Sequence, residues 1–80
     1  MRKTLSQIED MYAERDRRIA ELGTLQRVDI RDLKGFERTG RFIIADKLWN
    51  RLTEDAKNAL LHDEHAHVRS CARISAMKAS

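Results

Sequence analysis

His62, His65, His67 and Cys71 crowd one short stretch of this chain. Imidazole nitrogen and thiolate sulfur are the ligand types that zinc selects. His67 and Cys71 are four positions apart, so a helix would place them on one face. These four residues are the metal-ligand candidates. Their spacing matches no zinc signature, however, and no Cys-x-x-Cys accompanies them. Cys71 also shares a helical stripe with Val68 and Ala72, so it is expected to be a buried, inert thiol and not a nucleophile activated by a histidine. The other chemical constellations are missing: there are no carboxylates paired for acid–base work and no Ser/His/Asp arrangement. The scattered glycines Gly23, Gly35 and Gly40 make no phosphate cradle. The expectation is a protein that is not an enzyme and carries no cofactor.

Arginine offers a different chemistry. Arg27, Arg31, Lys34, Arg38 and Arg41 are spaced by four, three, four and three. On one continuous helix they would form a narrow stripe, with Leu33 and Phe36 turned away. Such a stripe could follow a phosphate backbone or dock on an acidic protein groove. Gly35 and Gly40 interrupt it, and Asp29 and Asp32 fall on its apolar side. Arg69 and Arg73 stand one turn apart in a segment with no acid after Glu64. Arg27, Arg31, Lys34, Arg38, Arg69 and Arg73 are therefore the candidate partner contacts. Eleven of the 16 basic residues are arginine, which suits planar contacts with carboxylate or phosphate. Thirteen interspersed acids hold the net charge to +3, milder than a dedicated nucleic-acid binder usually shows.

These residues need elements to position them. Eighty residues without proline, rich in Ala, Leu, Arg, Lys and Glu, predict a single helical domain over residues 1–80. The first helix is expected from Thr4 to Leu22, with overlapping capping boxes at Thr4/Gln7 and Ser6/Glu9 and Gly23 just beyond its end. Leu5, Ile8, Tyr12, Arg15, Ile19 and Leu22 form a heptad seam, and Glu14–Arg18 is an outward i,i+4 pair. That seam would pack on its own domain or on a second copy. Asp29 is expected to cap a short helix running from Ile30 to Arg38 and ending at Gly40. From Arg41 to Leu52 the positions Phe42, Ala45, Leu48, Trp49 and Leu52 share a face, with Trp49 as the core anchor. Thr53 caps a helix ending near His62 and carrying Ala56, Ala59 and Leu60 inward. A last helix, Ala66 to Lys78, turns Val68, Cys71, Ala72, Ser75 and Ala79 inward and leaves Arg69 and Arg73 facing solvent. The fold class is thus all-α, a compact bundle of three to five short helices. The alternative is α+β with a small hairpin in residues 25–45, because Val28, Ile30 and Phe42 to Ile44 have strand character.

The run from Ala59 to Ala72, with Asp63 in the turn and Val68-Arg69 leading into small apolar residues, resembles a HEAT-like helical hairpin; the likeness extends over residues 59–79. It implies a helix–turn–helix packing unit. In size and character the chain is similar to the small accessory proteins of phages and mobile elements, the anti-CRISPR inhibitors among them. That resemblance implies an inhibitor or adaptor docking on a host protein or nucleoprotein complex, blocking target-DNA access or effector recruitment. The alternative is a small DNA-binding protein or transcriptional regulator using a helix-turn-helix-like unit in residues 53–78. The expected state is a monomer or a helix-mediated homodimer. A lone cysteine and the lack of a membrane-spanning or signal-peptide run point to the cytoplasm and away from membranes.

Overall fold

The computed structural model describes the backbone of residues 5–79 and the side chains of residues 9–79. Helix α1 spans Leu5–Leu22, α2 Arg38–Lys47, α3 Glu54–Leu61 and α4 Ala66–Ala79, with 3₁₀ turns at Ile30–Leu33 and Trp49–Arg51. The class is all-α, and no strand occurs among the described residues. The hairpin alternative fails for a specific reason. Val28 does form a β-bridge, but its partner is Leu52 and not residues 42–44, which are helical. Its amide donates to the Arg51 carbonyl at 2.7 Å, and its own carbonyl accepts from the Thr53 amide at 2.9 Å. Arg51 Nη1 donates to the Leu25 carbonyl at 2.8 Å and straps the same loop down.

Helix α1 is attached by its second half. Ile19 is buried, Leu22 is half-buried, and residues 9–14 are exposed throughout. The expected seam is therefore only partly used: Tyr12 faces solvent, with the Arg15 guanidinium 5.0 Å from its ring centre. Both expected capping boxes, and the side chains of Leu5 and Ile8, lie outside the described residues. Glu14 pairs with Arg17 and not with Arg18. Arg18 instead lies over the Phe36 ring, 4.5 Å from its centre.

The middle third departs furthest from expectation. Asp29 does start a helical turn, and its amide donates to Asp32 Oδ2 at 2.9 Å. The turn stops at Leu33, and Gly35 takes φ +87°, a left-handed conformation that favours glycine. The chain re-enters a helix at Arg38 and passes through Gly40, which is buried inside α2 and does not terminate it. A Cβ on Gly40 would stand 2.8 Å from Phe36 Cδ1 and 3.1 Å from Phe36 Cβ. Gly40→Ala is therefore expected to destabilise the fold by about 1–2 kcal/mol, because overpacking against Phe36 outweighs the roughly 1 kcal/mol by which alanine favours a helix. A melting temperature equal to or above wild type would reject this. Helix α2 then ends at Lys47, so the expected continuous face to Leu52 is divided between a helix and a 3₁₀ turn. Ala45, Leu48, Trp49 and Leu52 still reach the core, whereas Phe42 is 41% exposed.

The C-terminal third follows its pattern closely. Thr53 Oγ1 accepts from the Ala56 amide at 3.3 Å, and Glu54 and Asp55 sit in the first turn of α3, where negative charge is favoured. Ala56 and Leu60 are buried and Ala59 half-buried. Residues 54 and 57 of α3 share a cleft with residues 76 and 79 of α4, so the two helices run antiparallel. On α4, Val68, Cys71, Ala72 and Ser75 turn inward, while Ala79 is exposed, contrary to expectation. Cys71 Sγ meets the Phe42 carbonyl at 3.5 Å, and Ser75 Oγ donates to the Ala45 carbonyl at 2.7 Å. These contacts advance in the same direction along both helices, so α2 and α4 pack in parallel. Ile44, Leu60, Val28 and Val68 are the largest fully buried side chains, each worth about 1.5–3 kcal/mol of transfer free energy.

Candidate functional site

The basic ladder is not a ladder in three dimensions. Arg27 sits in the loop before Val28, Arg31 in the first 3₁₀ turn, Lys34 at its end and Arg38 at the start of α2. Gly35 turns the chain between Lys34 and Arg38, so of the five cations only Arg38 and Arg41 share a helix. Arg41 points inward. Its Nε donates to Asp63 Oδ2 at 2.7 Å and its Nη1 to the Phe36 carbonyl at 2.7 Å. Asp63 is nearly buried and also accepts the His65 amide at 3.0 Å. Arg69, expected to face solvent, is half-buried and donates through Nη1 to the Asp63 carbonyl at 2.6 Å. Arg41, Asp63 and Arg69 thus clamp the α3–α4 turn to α2. Arg69 is engaged in this clamp, and Arg73 alone of that pair stays exposed.

The histidines and the cysteine do not converge. His62 is exposed with Nδ1 2.9 Å from the Asn58 carbonyl, and His65 lies 3.7 Å from Glu64. His67 faces α2, and Cys71 is buried beneath it. Among the described residues no group of three or more His, Cys, Asp or Glu is placed to hold a metal ion. Burial, and secondarily the charge of Asp46, push the Cys71 thiol above its ordinary pKa. The folded state therefore holds this proton more tightly than the unfolded chain. Cys71 contributes stability below the usual thiol range, and that contribution is lost as pH rises through the raised value. We expect Cys71 to react with a thiol reagent only as fast as the domain opens at pH about 8; labelling as fast as in the unfolded chain would contradict this.

Two surface features remain. Arg38, Thr39, Phe42 and His67 line a concavity of about 300 Å³ on the α2–α4 seam. Ile74, 53% exposed and seven residues beyond His67, extends its apolar part along α4. The sequence had flagged Arg38 as a contact and His67 as a metal ligand, but Phe42 and Ile74 had been given no surface role. Parallel packing of α2 and α4 brings Arg38, Phe42 and His67 together. The second feature is a groove beside α1. One end, about 450 Å³, carries Asp10, Glu14 and Glu37 with Arg15 and Arg18; the other, about 480 Å³, shares Arg18 and carries Arg31 and Lys34 with Glu21 and Asp32. Among the described residues no helix is long and apolar enough to cross a membrane. Comparison with protein-family models, curated proteins and solved structures finds no match for this chain.

Proposed function

We propose that this chain is a non-enzymatic binding protein, an inhibitor or adaptor that covers a surface on a protein or nucleoprotein partner. One observation carries the reading. The guanidinium of Arg38 has no ion pair or hydrogen bond among the described residues, and it lines a concavity with exposed Phe42 and His67. An exposed arginine next to an exposed aromatic is the composition that anchors protein interfaces. The matching surface is acidic at one end and apolar along its length. Arg27, Lys34 and Arg73, likewise exposed, supply attraction at longer range.

The test is a pull-down of a partner from host lysate, followed by affinity measurement on the purified pair. Arg38→Glu with Phe42→Ala is expected to weaken binding by at least about a hundredfold, the loss of two anchor residues. Arg73→Glu should change it by less than about tenfold, as a rim charge does. Equal losses would reject the seam. Tight binding to generic duplex DNA, falling steeply with salt, would favour the regulator reading of residues 53–78 instead.

A further inference from the structure

Helix α1 divides its charge along its length. Glu9, Asp10 and Glu14 lie in the first half, and Arg15, Arg17 and Arg18 follow. Two ion pairs form within the helix, Asp16 with Arg15 at 3.1 Å and Glu14 with Arg17. The groove beside the helix leans the same way: Asp10, Glu14 and Glu37 outnumber Arg15 and Arg18 at one end, and Arg18, Arg31 and Lys34 outnumber Glu21 and Asp32 at the other. A surface with acid at one end and base at the other complements itself when turned through a two-fold axis. We infer that a second copy of this chain occupies the groove, with the two α1 helices antiparallel and the acidic first half of each over the basic end of the other.

The helix spacing supports this face over the seam through Tyr12. Asp10, Glu14 and Arg18 are each four residues apart, so they form one stripe, and that stripe lines the groove. Met11 borders the acidic end and Leu25, 42% exposed, the basic end, so the antiparallel arrangement also brings apolar surface together. A parallel pairing would set acid against acid.

Sedimentation equilibrium on the full chain tests the inference. The wild type is expected to self-associate at low salt and to dissociate at about 1 M salt, where the Debye length is about 3 Å. Asp10→Lys with Glu14→Lys makes one variant, and Arg31→Glu with Lys34→Glu makes the other. Each alone should associate at least about tenfold more weakly than wild type. Their equimolar mixture should recover association, because in the mixed dimer both contacts are again between opposite charges. The single swaps Glu14→Lys and Lys34→Glu repeat the experiment with a smaller charge change. A wild type that stays monomeric, or a mixture no stronger than either variant alone, overturns the inference.

Discussion

Asp63→Ala is expected to lower stability by about 3 kcal/mol and, in a domain of this size, to reduce the melting temperature by more than about 10 °C. The carboxylate is 8% exposed and accepts from Arg41 Nε and the His65 amide. Removing it leaves the Arg41 guanidinium under the α3–α4 turn with only the exposed Glu64 carboxylate, 3.7 Å away, as a counter-charge. Arg41 is itself 19% exposed, so water can reach part of the stranded charge, and the loss falls at the low end of the range for buried pairs. Asp63→Asn keeps an acceptor for the His65 amide and should lose less. Arg41→Met combined with Asp63→Ala should recover part of the loss, because no unpaired charge then remains. Urea unfolding followed by circular dichroism measures all three. A loss below about 1 kcal/mol for Asp63→Ala would mean that water replaces the carboxylate at the clamp.

Trp49→Ala is expected to cost about 3–5 kcal/mol. Trp49 is the single tryptophan of the chain and is buried where the 3₁₀ turn Trp49–Arg51 meets α3 and α4. Lys57 Nζ lies 5.8 Å from the centre of its ring and covers the outer side. A chain of this length has only about 4–12 kcal/mol of total stability, so the substitution removes a large fraction of it. The expected result is a domain that is partly unfolded at 37 °C by circular dichroism. Trp49→Phe should retain most of the packing. If Trp49→Ala melts within a few degrees of wild type, the core does not depend on this ring.

Both predictions concern parts of the chain that were unequally legible beforehand. Trp49 could be named from composition alone, because it is the largest apolar side chain available and lies on an apolar face. The Thr53 cap, the inward stripe of Val68, Cys71, Ala72 and Ser75, and the ends of α1 and α3 were also legible. Each rests on residues within a turn or two of one another, and local periodicity records which side of a helix avoids water.

The clamp was not legible. Arg41 and Asp63 are 22 residues apart, and Arg41 looked like one more step of an exposed ladder. Cation spacing describes a stripe only if the helix is continuous, and the left-handed turn at Gly35 breaks it between Lys34 and Arg38. Likewise, Phe42 carried the periodicity of a core residue, yet the end of α2 at Lys47 rotated the following residues inward and left Phe42 at the α2–α4 seam.

The sequence by itself determined an all-α chain, the caps at Asp29 and Thr53, most of its core and the burial of Cys71. Tertiary structure decided which arginines are consumed internally, which one stands beside exposed apolar residues, and how the histidines are dispersed. The physical reason is that helix propensity and amphipathicity act over a few residues. The fate of a charge depends instead on which distant carboxylate or carbonyl the packing brings within about 3 Å.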